Sequence, residues 1–253
     1  AGLGVLLIRR ALNFCEGVRA NRNSLPGGVG SSEPGGVLDC LDSRQFRFSR
    51  GRFKRVRNQK ANFAKRVLTM PEYHYVTEDI FAVSEFFAPE ECAAAIERAE
   101  AAGFYAAPIN TRYGAQVRED IRNNSRVIID DPQLAAHLWE RTRDYVPINT
   151  GGWTAVGINE RFRYYRYEVG EQFEWHRDGA FERANGERSR LTFMIYLNED
   201  FEGGRTTFDT CEIIPQTGLA LFFLHPLLHK GQPVTQGCKY AIRTDVMYRP
   251  NAE

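Results

Sequence analysis

The chain has 253 residues, 43% of them hydrophobic, with 33 Lys and Arg against 32 Asp and Glu for a net charge of +1. That length holds one sizeable catalytic domain or a domain with an extension. The near-neutral balance carries no signature of a nucleic-acid or membrane-surface binder. The balance is uneven along the chain, however. Residues 1–69 carry fourteen Lys/Arg against four Asp/Glu, which leaves nineteen against twenty-eight for residues 70–253. A basic tail therefore precedes an acidic domain, and the two are read separately.

Residues 25–36 are dense in Gly and Pro and cannot build a core. Residues 44–66 are strongly basic. The tail 1–69 is expected to be disordered, a spurious extension or an organelle-targeting leader, and 70–253 to be the folded domain. Gly4-Val5-Leu6-Leu7-Ile8 is short and has no basic run before it, so no secretory signal is expected. No apolar run approaches bilayer-spanning length. The five cysteines, Cys15, Cys40, Cys92, Cys211 and Cys238, are odd in number and contain no CxxC pair. Free thiols in a reducing compartment fit them better than disulfides or structural zinc, and a cytoplasmic protein is expected.

Within the domain, residues 79–87 read as an entering strand. Ala88-Pro89-Glu90-Glu91 opens a helix with Pro and acids in its first turn, and Gly103 closes it. Residues 113–124 are polar and mixed in charge, a loop or edge strand. Asp131-Pro132 caps a second helix running to about residue 145. From Asn159 the pattern changes to short strands with Gly turns between them: residues 161–167, 173–176, 189–198, 206–208, 219–224 and 239–248. Such spacing predicts a sandwich or jelly roll, mainly β with helices packed on one sheet.

Residues 175–179 read Trp-His-Arg-Asp-Gly. In a strand, residues i and i+2 point the same way, so His176 and Asp178 can ligate one metal together. With a distant histidine they form the two-His-one-carboxylate set that binds non-haem Fe(II) and leaves coordination positions open. Two distal candidates exist, His225 and His229. His229 is preferred because Gly231-Gln232-Pro233-Val234 follows it and leads into Lys239. Lys239 and Arg243 lie four apart on one strand, able to face one way.

The ordered set Arg166-Tyr167-Glu168-x-Gly170, His176-x-Asp178, residues 191–198, Gly203-Gly204-x-Thr206 and His229-x-Gly231-x-Pro233-Val234 through Lys239-Tyr240 resembles the Fe(II)/2-oxoglutarate-dependent dioxygenases. Among them it looks most like the prolyl 4-hydroxylase-type catalytic domain, over roughly residues 79–249. The resemblance implies a double-stranded β-helix, a distorted jelly roll. It implies Fe(II) on His176, Asp178 and His229, and 2-oxoglutarate chelated to it. It further implies that the far carboxylate of 2-oxoglutarate sits on Lys239, with Tyr196 adding a hydrogen bond, Tyr167 lining the site, and Arg243 a second anchor or a substrate contact. L-ascorbate is the implied accessory reductant. Asp178 fills a position that a related halogenase would leave to halide, which favours hydroxylation.

The implied partners are 2-oxoglutarate and O2, with a protein side chain or a small molecule as prime substrate, and neither membrane nor nucleic acid. Arg118, Arg122, Asn124 and Arg126 could line a substrate entrance or form a solvated edge. Arg161 and Arg163 could face the cavity. His74 and His137 are expected to be structural, and Cys238 to pack. The competing readings are a cupin-like metal enzyme that needs no 2-oxoglutarate and a non-catalytic jelly-roll binding module.

Overall fold

A computed structural model describes residues 71–111 and 114–251. The expectations for residues 1–69 lie outside the described residues. Two antiparallel sheets dominate the described part. The larger has ten strands, and its central path runs Ile80–Ser84, Ala220–Leu224, Arg188–Tyr196, Lys239–Pro250, Arg161–Tyr167 and Ser125–Asp130. The smaller has four, in the order Phe173–His176, His229–Gly231, Thr206–Phe208 and Glu212–Ile213. Strands far apart in sequence therefore alternate between and within sheets, as in a double-stranded β-helix. Among the described residues no helix is long and apolar enough to cross a membrane.

The period-2 pattern of each long strand decides its two faces. On Arg161–Tyr167, Phe162 and Tyr164 are buried on one side. That side joins a core with Leu191, Phe193, Ile195, Phe222, Ile242 and Val246. Both helices cover it, through Cys92 and Ala99 of Pro89–Ala102 and Ala135 and Leu138 of Pro132–Thr142. The opposite side of the same strand carries Arg161, Arg163, Tyr165 and Tyr167, all of which line a cavity of about 560 Å³. Register extends that lining face: Lys239 stands opposite Tyr167, and Arg243 opposite Arg163.

The first helix ends as its sequence suggests. Pro89 occupies the first turn, the Ala88 N–H donates to the Glu91 carboxylate at 2.8 Å, and Gly103 has φ 82. The second ends at Thr142, short of residue 145. There the Thr142 hydroxyl turns back onto the Leu138 carbonyl at 2.9 Å, and Pro147 restricts the residue before it. Among the strands not expected from the sequence, the longest are Glu72–Thr77, Ser125–Asp130 and Trp153–Ile158. Glu72–Thr77 forms a hairpin with Ile80–Ser84, whereas Ser125–Asp130 and Trp153–Ile158 owe their pairing to the distant strands Arg161–Tyr167 and Lys239–Pro250, contacts invisible to local pattern. Cys92, Cys211 and Cys238 are free thiols.

Candidate metal and co-substrate site

The strand Phe173–His176 pairs antiparallel with His229–Gly231 so that His176 faces His229 directly. This register brings together two imidazoles fifty-three positions apart, with ring centroids 4.2 Å from each other. Asp178 follows at the strand end. Its Oδ1 lies 3.9 Å from His176 Nε2 and its Oδ2 3.8 Å from His229 Nε2. One donor atom from each of the three lies within 4.8 Å of the others.

The donor set fits a metal in its protonation as well as its spacing. His176 Nδ1 bonds the Glu174 carbonyl at 2.8 Å, and His229 Nδ1 bonds the Leu227 carbonyl at 3.0 Å. Each Nδ1 therefore carries the proton, and each Nε2 is left with a free lone pair. Burial, aided by the neighbouring His229, pushes the His176 pKa down to about 3. Burial lowers that of His229 as well. Burial alone would raise the pKa of Asp178. The charge of Arg243, then His229 and His176, and the Thr192 hydroxyl outweigh it and hold the carboxyl well below its usual range. Two neutral imidazoles and an ionised carboxylate are the forms a divalent ion needs.

A layer of buried side chains holds Asp178. Thr192 Oγ1 donates to Asp178 Oδ2 at 2.5 Å and contacts His225 Nδ1 at 2.9 Å. His225 Nε2 in turn meets Ser189 Oγ at 2.8 Å. Both nitrogens of His225 are thus engaged behind the carboxylate, and the histidine that converges with His176 and Asp178 is His229. Arg243 lies 3.2 Å from Asp178 and 3.0 Å from Asp245, so both of its near neighbours are carboxylates. Asp245 is 1% exposed and also accepts from Asn159.

Lys239 is different. It is 3% exposed, and its ammonium donates to the Gly204 carbonyl at 2.5 Å. It lies over the rings of Tyr167 at 5.2 Å and Tyr196 at 5.3 Å. Among the described residues no carboxylate pairs with it, and burial lowers its pKa to about 7. Gly204 makes the close approach possible: at φ +60, a Cβ there would meet Phe201 at 2.9 Å and the Lys239 chain at 3.1 Å. The Tyr196 hydroxyl is bonded to Thr206 Oγ1 at 2.7 Å, and Thr206, rather than Tyr196, lines the cavity. Tyr167 lines it directly.

The polar cluster before the barrel divides. Arg118 is exposed and paired with Asp120. Arg122 and Asn124 are buried at 5% and 0% exposure, and Arg122 and Arg126 line the cavity. Arg161 and Arg163 line it too. His74 bonds Ser84, and His137 lies exposed on the second helix. Sequence reasoning gave no role to Thr192, Thr206, His225 as a support, or Asp245. Only the Gly-Gly-x-Thr spacing pointed toward Thr206. Thr192 and Asp245 sit mid-strand and His225 in the turn after Leu224, where nothing in local pattern marks them as supports.

A two-histidine, one-carboxylate set and a buried lysine line one cavity of a double-stranded β-helix, a donor arrangement that non-haem metal oxygenases use. Comparison with known proteins agrees: residues 162–244 match the 2OG-Fe(II) oxygenase superfamily. Its members are dioxygenases that use Fe(II) and 2-oxoglutarate. The chain is 24% identical over 198 residues to the probable prolyl 4-hydroxylase 8 of Arabidopsis thaliana, covering 64% of this chain and 66% of that protein, a little under two thirds of its length. A Trichoplax adhaerens prolyl hydroxylase, solved with a hypoxia-inducible-factor degradation-domain peptide, superposes with TM-score 0.54 at 16% identity, over 67% of this chain and 84% of that one. A Pseudomonas putida prolyl 4-hydroxylase gives 0.51 at 20% identity, over 70% and 95%. These likenesses to solved structures establish the fold.

Proposed function

We propose that this chain is an Fe(II)- and 2-oxoglutarate-dependent hydroxylase of prolyl 4-hydroxylase type. Lys239 carries the proposal: a buried ammonium without a counter-charge among the described residues, on the same cavity wall as three convergent metal donors. A cation held there needs an anion to offset its desolvation. The far carboxylate of 2-oxoglutarate supplies one. Fe(II), held by His176, Asp178 and His229, would supply the oxidising chemistry that couples O2 and 2-oxoglutarate to succinate, carbon dioxide and a hydroxylated product.

The chain's own residues have distinct parts in this reading. Tyr167 and Tyr196 wall the lysine away from water, and Thr206, oriented by the Tyr196 hydroxyl, offers a hydroxyl beside the same carboxylate. Arg243 and Thr192 hold the two oxygens of Asp178, which limits its rotation and keeps it ionised. His176 and His229 are aimed by their Nδ1 bonds to backbone carbonyls. The prolyl part of the proposal rests on the resemblance to prolyl hydroxylases; a prolyl peptide is the first prime substrate to test, and L-ascorbate the reductant to add.

The test is release of succinate from 2-oxoglutarate by the Fe(II)-loaded protein, with and without proline-rich peptides, the peptides then weighed for one added oxygen atom. Succinate formation that depends on Fe(II) is expected. Its absence would overturn the oxygenase reading. Succinate formation with no peptide oxidised would overturn the prolyl part.

A further inference from the structure

We propose that the prime substrate carries an oxyanion, a carboxylate or phosphate, that seats on Arg122 and Arg163. This rests on the oxygenase reading above and deepens it. The carrying observation is Arg122. It is 5% exposed and lines the metal cavity. Its guanidinium lies between two rings, 4.6 Å from the centroid of Tyr165 and 4.4 Å from that of Phe173. Its Nε donates to the fully buried Asn124 at 2.7 Å. Its Nη2 is buried with no hydrogen-bond partner. The ring sandwich and the Asn124 bond fix the plane of the fork while one edge stays unsatisfied, an arrangement that suits a planar or tetrahedral oxyanion.

The neighbours repeat the pattern. Arg163 Nη1 and Arg126 Nε are also buried without a hydrogen-bond partner. Among the described residues Arg163 has one ion-pair partner, Asp245 at 3.6 Å, and Asp245 is closer to Arg243. Among the described residues no carboxylate forms an ion pair with Arg122 or Arg126. Fe(II) and 2-oxoglutarate, equal and opposite in charge, would leave this excess of cations unchanged. Lys239 would be matched by the co-substrate, and Arg243 by Asp178. The guanidinium edges of Arg122, Arg126 and Arg163 are what remain; of these, Arg122 lies against Tyr165 and Phe173, and Arg163 lines the cavity on the same strand face as Tyr165.

Position links this subsite to the reaction. Phe173, one wall of the Arg122 sandwich, stacks on the His176 ring at 3.5 Å between centroids. The backbone of Arg122 bridges to that of Phe173, and the Glu174 N–H donates to the Ile121 carbonyl at 2.8 Å. An anion on Arg122 is therefore held one side chain away from a metal ligand, by a segment pinned to the strand that carries it. A substrate anchored there presents its adjacent carbon atoms to the centre.

The experiment uses the full chain loaded with Mn(II), which keeps the centre without turnover, and saturated with 2-oxoglutarate. Calorimetry compares matched acids and amides: N-acetyl-L-proline with N-acetyl-L-prolinamide, and benzoate with benzamide, with phenyl phosphate as the phosphate arm. The acids should bind about ten- to a hundredfold more tightly than the amides. In Arg122→Gln that preference should vanish while the amide binds as before, and Arg122→Lys should recover part of it. Arg163→Gln serves as the second variant should Arg122→Gln unfold. Phenyl phosphate above benzoate, with the same dependence on Arg122, makes the oxyanion a phosphate; the reverse makes it a carboxylate. Equal binding of acid and amide, no heat from any acid, or a preference untouched by both variants overturns the inference. Loss of 2-oxoglutarate binding in Arg122→Gln also overturns it, since Arg122 would then hold the co-substrate. Succinate formation with the Fe(II) protein is scored separately, so failure of the oxygenase reading is distinguishable from failure of this one.

Discussion

Lys239→Ala is the sharpest probe of the co-substrate assignment. The ammonium is 3% exposed, walled by Tyr167 and Tyr196, and bonded to one backbone carbonyl. No carboxylate pairs with it among the described residues, and the proposed counter-ion is the distal carboxylate of 2-oxoglutarate. Removing one member of a buried ion pair typically costs about 3–5 kcal/mol. At about 1.4 kcal/mol per decade, 2-oxoglutarate binding should weaken by about a hundred- to several-thousandfold. Affinity for Mn(II) should stay within a few fold, because the lysine touches none of the three donors. Titration of the metal-loaded protein with 2-oxoglutarate measures the first, and metal titration the second.

The same residue sets a pH dependence. Burial lowers the Lys239 pKa to about 7, so the ammonium is charged below that pH and neutral above it. Binding the anion requires the charged form. The apparent dissociation constant for 2-oxoglutarate should therefore be lowest below pH 7. Above pH 7 it should rise by up to about tenfold per unit, until the pKa raised by pairing is reached. A loss under tenfold in Lys239→Ala, or affinity that improves as pH rises from 7 to 9, would refute the reasoning. If Arg243→Ala gave the steep loss with metal affinity intact, the anchor would be Arg243.

Three further outcomes follow from the geometry. His229→Ala should abolish metal binding, whereas His225→Ala should leave the three donors able to bind and lower melting temperature, read by metal titration and thermal denaturation. Thr192→Val removes the 2.5 Å hydrogen bond to Asp178 and should weaken metal binding by about ten- to a hundredfold at nearly constant side-chain volume, measured in the same titration. Gly204→Ala places a Cβ 3.1 Å from the Lys239 chain at a backbone φ of +60 and should weaken 2-oxoglutarate binding more than metal binding, read by paired calorimetric titrations.

Much of this protein was legible in its sequence because its strands speak in period two and its ligands in fixed spacings. The run at 219–224 before His229 and Lys239 on the last long strand are local statements that survive folding, whereas the strand carrying His176 stops there and Asp178 lies just beyond its end. The expectation of a double-stranded β-helix and the resemblance to the 2-oxoglutarate dioxygenases followed from their order. What the tertiary structure alone decided are the pairings. Which of His225 and His229 converges with Asp178 depends on the register that sets His229 against His176, and register is a relation between strands. Arg243 and Lys239 share a strand face and a charge, yet Arg243 ends beside Asp178 and Asp245 while Lys239 ends without a carboxylate among the described residues. Arg122, in a stretch that reads as polar loop, becomes a buried guanidinium between Tyr165 and Phe173. A side chain's charge is written in the sequence, but its counter-charge and its solvent are supplied by residues the chain brings from elsewhere.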